Sequence, residues 1–202
     1  TSLERAVRKL ADRDPDLAAV VDRHGPPPLW DREPGFATLL HIILEQQVSL
    51  ASALAAFNKL KAALGAVTPR AFLTLDDAQL KAVGFSRQKT RYGRLLAQAV
   101  LDGALDLAAL ERMDDDSARA ALTSITGIGR WTADVYLLMV LCRPDVLPSG
   151  DLALLIAAQH VKRLTARPSP VEFEALAEAW RPHRAAAARV LGRFDFASAV
   201  DA

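Results

Sequence analysis

Cysteine and histidine are scarce in this chain, which limits the chemistry that it can carry. Cys142 is the single cysteine among 202 residues, so an intramolecular disulfide and a four-cysteine iron–sulfur cluster are both excluded. The four histidines are far apart and show no ligand spacing, so we expect no catalytic metal site. A lone cysteine is also typical of a reducing compartment, and we expect a cytoplasmic protein, or a nuclear one in a eukaryote.

Long apolar runs are missing as well. No stretch approaches the ~20 apolar residues that span a bilayer, and Thr1 to Leu10 is amphipathic and charged, unlike a signal peptide. We therefore expect no membrane association. Alanine, leucine and arginine are abundant, whereas the few β-branched residues do not alternate with polar ones, and this pattern predicts helices throughout. With 51% hydrophobic residues, the chain can bury one substantial core or two lobes that share a cleft.

The net charge of +1 does not by itself indicate a nucleic-acid binder. The basic residues, however, occur in runs that contain no acid, while Asp114–Asp116 collects negative charge elsewhere. This segregation along the sequence counts in favour of DNA binding; a solvated face is the alternative for any one run. The runs are Arg87, Lys89, Arg91 and Arg94; Lys162, Arg163 and Arg167; and Arg181, Arg184, Arg189 and Arg193.

The stretch from Leu122 to Asp134 predicts two helices joined by a hairpin. Gly127 and Gly129 permit the positive-φ backbone that their β-branched neighbours avoid. A Gly-x-Gly turn that opens a helix directs backbone N–H groups outward at the positive end of the helix dipole, which suits a phosphate oxygen. Structural punctuation is the alternative for the turn taken alone.

A second signal follows about twenty residues later. An apolar helix from Trp131 to Leu141 is followed by a Leu-Pro-Ser-Gly turn and then by Asp151, which is expected to be the N-cap of the apolar helix from Leu152. Asp151 is either only a cap, worth about 1 kcal/mol, or a carboxylate that the helix N-terminus keeps ionised beside a developing cation.

Together, the runs Ile-x-Gly-Ile-Gly-x-Trp-Thr-Ala-Asp (125–134) and Leu-Pro-x-x-Asp-Leu (147–152) resemble the signature of 3-methyladenine DNA glycosylase II, of the helix-hairpin-helix/Gly-Pro-Asp superfamily. The resemblance extends from Phe36 to Gly192. It implies an all-α, two-lobed fold with an active-site cleft between the lobes, without the N-terminal β domain of some members. Residues 34–143 would form the central helical domain that carries the hairpin, and 1–33 plus 144–202 the second lobe.

The resemblance also implies how the base is held and released. Asp151 would be the catalytic carboxylate. Trp131 stands where bifunctional relatives place a lysine, so it would stack on an electron-poor flipped base and could not form a Schiff base; the alternative is a core tryptophan. Val135 and Gly192 fall where well-known members carry aromatic pocket walls, which predicts a wide pocket.

Further positions match the part of the family that holds DNA. Gln47 would fill the gap left by the flipped base, with surface polarity as the alternative. The resemblance implies a monovalent cation that joins the backbone carbonyls of Ile125 to Ile128 to a DNA phosphate. It implies no other cofactor. The expected DNA-binding residues are Gln46, Gln47, Ser49, Arg87, Lys89, Gly127, Ile128, Gly129, Arg130 and Thr132.

The expected function is therefore monofunctional glycosylase action in base excision repair. A monomer would bind double-stranded DNA, flip an alkylated base of the 3-methyladenine type, with a broad range of others, and hydrolyse its N-glycosidic bond. One alternative is a non-catalytic helix-hairpin-helix protein that binds DNA structures. Another is a helical interaction module with no DNA role.

Overall fold

Helices make up the regular structure of this protein. The computed structural model describes residues 1–200, and side chains as far as Phe194. No β-strand occurs in residues 1–200, which confirms the predicted all-α class. The α-helices are α1 (Ser2–Ala11), α2 (Pro15–His24), α3 (Phe36–Glu45), α4 (Leu50–Leu64), α5 (Pro69–Leu73), α6 (Asp77–Ala82), α7 (Arg87–Leu101), α8 (Asp115–Thr123), α9 (Arg130–Met139), α10 (Leu152–Val161), α11 (Pro170–Ala177) and α12 (Arg184–Val200), with 3₁₀ turns at Ala109–Arg112 and Glu178–Trp180.

Most helices begin at a side chain that accepts a backbone N–H, as the sequence predicts. Asp14 caps α2 and Ser49 caps α4. Thr1 caps α1 and forms a reciprocal capping box with Glu4. Gly65 ends α4 with a positive φ of 71°.

Residues Arg32–Leu141 form one compact unit. Its centre is α3, which is mostly apolar and buries seven of its ten residues, as expected for a helix with neighbours on several sides. Helices α4, α7 and α9 pack against it, and α8 packs against α9. The hairpin between α8 and α9 therefore belongs to this unit.

The other compact unit joins Thr1–Asp31 to the chain from Cys142 onward. Helix α12 packs against α1, α2 and α10. The Trp180 side chain is buried, and its indole N–H donates to Asp14 Oδ2 at 2.7 Å. Trp180 therefore has a structural role in this unit.

None of the helices in the described part of the chain is long and apolar enough to cross a membrane. Within the same residues, no group of three or more histidine, cysteine, aspartate or glutamate side chains is arranged to hold a metal ion.

Candidate nucleic-acid interface and active site

The hairpin turn contains two glycines, and only one of them has a conformation that requires glycine. Gly127 has φ +99°, and a Cβ there would lie 2.3 Å from Tyr92 Cγ, so no other residue fits. Gly129 differs from expectation: it has φ −86° and ψ 177°, an extended conformation open to any residue. It is the N-cap of α9, where no side chain caps the helix, and a Cβ at Gly129 would meet nothing within 4 Å.

Two residues expected to bind DNA at the hairpin lie inside the protein. Ile128 is buried, and its backbone N–H donates to Ile125 O at 3.0 Å, so this amide closes the turn and is not available to a phosphate. The Thr132 side chain is also buried, and its hydroxyl accepts a hydrogen bond from Gln46. Both residues shape the hairpin, and their contribution to DNA binding stays a prediction. Arg130, by contrast, is exposed at the first position of α9.

A buried carboxylate fastens the two hairpin helices together. Asp134 is 1% exposed and accepts a hydrogen bond from Arg119 Nε at 2.7 Å. Burial raises the pKa of Asp134, and the charge and hydrogen bond of Arg119 oppose that rise. Arg119 also donates to Asp116 at 2.6 Å. The sequence reasoning missed this role, although an acid inside the apolar run of α9 was the visible signal.

The residues Gln46–Ser49, here called the wedge loop, connect α3 to α4. Gln47 is exposed and has φ +58°, a left-handed conformation that is uncommon for glutamine. Val48 beside it is 46% exposed. Ser49 accepts the N–H of Ser52 at 3.2 Å, so its hydroxyl caps α4. The position of Gln47 suits the expected wedge, since the residue is exposed in the described part of the chain.

Gln46 and Lys89 bind other parts of the protein. Gln46 Nε2 donates to Gly127 O and to Thr132 Oγ1, each at 2.9 Å. Lys89 Nζ donates to Leu44 O at 2.6 Å, and burial lowers the pKa of Lys89. Arg87 is exposed at the first position of α7. DNA contacts by Gln46, Lys89 and Arg87 stay predictions.

Ile125 O and Gly127 O lie in the segment where a cation was expected. Each already accepts one hydrogen bond, from Ile128 N–H and Gln46 Nε2 respectively. A carbonyl oxygen has two lone pairs, so the two oxygens retain the capacity for one more partner each. Their chemistry therefore fits a monovalent cation, which stays a prediction.

Trp131 and Val135 lie one turn apart on α9, so they share a face of that helix. Trp131 is only half-buried, whereas Val135 is 7% exposed. Part of Trp131 is therefore exposed to solvent. The pocket roles of Trp131 and Val135 stay predictions.

Asp151 is the N-cap of α10, as predicted. Its Oδ1 accepts the N–H of Leu154 at 3.2 Å, and its own N–H donates to Pro148 O at 2.9 Å. A hydrogen bond holds the turn that precedes Asp151, because the hydroxyl of buried Ser149 donates to Glu174 Oε1 at 2.6 Å. Asp151 itself is half-buried. The capping role is confirmed, and the catalytic role stays a prediction.

The wall expected to be missing at Gly192 has an aromatic ring beside it. A Cβ at Gly192 would lie 3.6 Å from Cζ3 of Trp30. Trp30 is half-buried and has φ +48°, an unusual conformation for a bulky residue. An aromatic ring therefore lies beside Gly192, and the open-pocket expectation stays a prediction. No sequence signal linked positions 30 and 192.

Several cations of the basic runs pair with acids that lie outside the runs. Lys162 lies 2.7 Å from Asp14 and 2.9 Å from Asp16. Arg181 and Arg184 both pair with Asp145. Arg189 is buried. At least five of the eleven residues in the three runs form ion pairs within the protein.

The family model for helix-hairpin-helix/Gly-Pro-Asp superfamily base excision DNA repair proteins matches residues 40–182, which include the wedge loop, the hairpin and Asp151. The chain belongs to this superfamily. The resemblance inferred from the hairpin and the Asp151 turn is therefore confirmed.

Two curated members of the superfamily from Schizosaccharomyces pombe are similar over nearly their whole length. DNA-3-methyladenine glycosylase 1 is 29% identical over 195 residues, which cover 93% of this chain and 86% of the relative. Alkylbase DNA glycosidase-like protein mag2 is 26% identical over 193 residues, which cover 92% of this chain and 90% of the relative.

Solved structures from the superfamily show the same fold. The Schizosaccharomyces pombe 3-methyladenine DNA glycosylase in complex with abasic DNA has a TM-score of 0.82 and 27% identity, with 95% of each chain covered. The Bacillus halodurans DNA-3-methyladenine glycosidase has a TM-score of 0.79 and 26% identity, with 97% of this chain and 91% of that chain covered. The expected glycosylase fold is confirmed by these similarities.

Proposed function

We propose that this superfamily member is a monofunctional DNA glycosylase that removes alkylated bases. The observation that carries the proposal is Asp151, a half-buried carboxylate that caps α10 directly after the fixed turn at Ser149. The two relatives above, which match over nine-tenths of this chain, are named for activity on 3-methyladenine and alkylated bases. Their names support the same substrate class here.

The chemistry required of Asp151 is electrostatic. A ring-alkylated purine is already cationic, so its departure needs little help from an acid, and the main demand is to stabilise the oxocarbenium-like sugar that it leaves behind. A carboxylate placed at that sugar stabilises the developing cation without moving itself. It would also orient the attacking water.

Trp131 supports hydrolysis without strand cleavage. A lyase step needs an amine that forms a Schiff base with the sugar, and an indole has no such nucleophile. The aromatic face of an indole instead attracts a cationic base, and Trp131 is partly exposed. Borohydride trapping of the protein on abasic DNA tests this point, and a trapped covalent complex would contradict it.

DNA binding would use the N-terminus of α9 and the wedge loop of a single protomer. The uncapped N-terminus at Gly129 offers backbone N–H groups and the positive end of the dipole to a phosphate. Arg87 and Arg130 are exposed cations on the same unit. Gln47 would enter the duplex where the base leaves. A monovalent cation on the carbonyls of Ile125 to Ile128, if bound, would supply one further contact to phosphate.

The decisive experiment is base release from a panel of duplexes. Each duplex carries one modified base: 3-methyladenine, 1-methyladenine, an uncharged bulky adduct, or an unmodified adenine as the control. We expect free 3-methyladenine, and weaker release of the other modified bases. Salt-dependent binding with no base released from any duplex would favour the non-catalytic DNA-structure binder instead.

A further inference from the structure

Three consecutive residues before the wedge residue Gln47 are each attached to a different segment. Leu44 O accepts a hydrogen bond from Lys89 of α7 at 2.6 Å. Glu45 is buried and lies 2.9 Å from Arg32 Nη1. Gln46 donates to the hairpin. The chain is thus fixed on three sides up to the point where Gln47 becomes exposed.

The Gln46 amide connects both parts of the hairpin. Its nitrogen carries two hydrogens, and its two bonds reach the turn at Gly127 O and the first turn of α9 at Thr132 Oγ1. Thr132 is 1% exposed, so this bond lies away from water, where a hydrogen bond is stronger. The amide nitrogen cannot donate to DNA unless Gln46 first releases the hairpin.

Helix α7 contacts both the hairpin and the end of α3. Tyr92 lies against Gly127 so closely that a Cβ could not fit between them, and Lys89 of the same helix holds the end of α3. A displacement of the hairpin would therefore disturb α7 and Gln46 together. These contacts link the wedge loop, the hairpin and α7.

We propose that Gln46 is a positioning residue that couples phosphate binding at the hairpin to insertion of Gln47 into the duplex. A phosphate held at the N-terminus of α9 fixes the hairpin relative to DNA, and Gln46 transmits that position to the wedge loop. The inference rests on the proposed function, since it assigns a role within base flipping. It replaces the expected direct contact of Gln46 with DNA.

The test compares Gln46→Met with Gln98→Met. Methionine keeps the length of glutamine and removes both donors, and Gln98 is an exposed residue of α7 that serves as the matched control. Four measurements are made: thermal stability, salt-dependent affinity for an undamaged duplex, 2-aminopurine fluorescence at saturating protein, and single-turnover excision. For Gln46→Met we expect unchanged affinity for the undamaged duplex, with flipping and excision reduced by about tenfold, as for the loss of two hydrogen bonds.

A double-mutant cycle with Thr132 separates positioning from direct contact. Thr132→Val removes the acceptor and Thr132→Ser keeps it, so we expect only the valine variant to impair flipping. The effects of Gln46→Met and Thr132→Val should be non-additive, because both changes remove the same Gln46–Thr132 hydrogen bond. The serine and valine pair carries the same comparison if Gln46→Met does not fold.

Several outcomes would overturn the inference. These are normal flipping by folded Gln46→Met, an equal loss of affinity for undamaged DNA, or additive effects of the Gln46 and Thr132 changes. Failure of the proposed function would look different: the parent protein would raise 2-aminopurine fluorescence, and the Gln46 effect on it would persist, but no base would be released.

Discussion

The Trp180 indole donates to Asp14 Oδ2 at 2.7 Å, although 166 positions separate the two residues in the chain. The same carboxylate caps α2 and accepts from Lys162 Nζ at 2.7 Å. Burial alone would raise the pKa of Asp14, but the hydrogen bonds from Lys162, Trp180 and the Leu17 backbone lower it overall. One buried carboxylate therefore joins α2, α10 and the turn before α12.

The first prediction concerns this carboxylate. Asp14→Asn should lower the free energy of unfolding at pH 7 by about 2–3 kcal/mol, because it breaks buried charge-assisted hydrogen bonds. A lowered folded-state pKa stabilises the protein above the unfolded pKa of about 4, and that contribution is lost as the pH falls through the folded pKa. The difference between the parent and Asp14→Asn should therefore shrink below about pH 4. Urea titrations from pH 7 to pH 3 measure it, with exposed Asp22→Asn as the control; a gap that widened in acid would refute the assignment.

The second prediction separates capping from catalysis at Asp151. Asp151→Asn should change stability by no more than about 1 kcal/mol, since asparagine also caps helices well. Excision should fall by orders of magnitude while DNA affinity persists, because the charge beside the sugar is gone. Asp76→Asn, at the N-cap of α6, is the matched control and should leave excision unchanged. Near-parent excision by Asp151→Asn would exclude the proposed mechanism.

The third prediction contrasts the two hairpin glycines. Gly127→Ala should destabilise the protein by more than about 2 kcal/mol, since it combines a positive φ with a clash against Tyr92. Gly129→Ala should leave stability within about 1 kcal/mol, because the site is extended and open. Gly129→Asp should weaken binding to every duplex sequence by placing a negative charge where phosphate is expected. Thermal melts and salt titrations check the three variants, and unchanged affinity of Gly129→Asp would move the phosphate elsewhere.

The fourth prediction concerns the breadth of the base pocket. If Gly192 lines it, the adjacent Trp30 ring is a wall, so Trp30→Ala should increase the relative excision of bulky adducts over 3-methyladenine. Val135→Tyr should have the opposite effect, at a cost of about 1–3 kcal/mol for overpacking a buried site. Ratios of kcat/KM for a large and a small lesion measure both variants. An identical ratio in the parent and both variants would mean that neither residue faces the base.

Local features of this protein were readable from the sequence, and long-range pairings were not. Helix starts at Asp14, Ser49 and Asp151 follow from short-range capping rules, and the family signature located the hairpin. The bond between Gln46 and Gly127 spans 81 positions, and no periodicity connects them. Sequence patterns record which residue types a helix face contains, but which distant groups meet depends on packing.

The ion-pair partners of the basic residues were likewise not readable from the sequence. Arg94, Lys162 and Arg184 lie in runs without acids, yet each pairs in the fold with an acid outside its run. Gly129 was expected to need a positive φ because glycine permits one, whereas its backbone is extended. A glycine in a sequence can mark either a positive φ or an open site, and only the folded structure distinguishes the two.

The left-handed backbone conformation of Gln47 implies that thermal stability and base excision make opposite demands on this position. Asparagine and glycine adopt this conformation more readily than glutamine does, so Gln47→Asn is expected to raise the melting temperature. The shorter side chain would reach less far into a duplex and leave more of the vacated space unfilled. A screen that selected this loop for thermal stability alone would therefore enrich proteins that melt later and repair less.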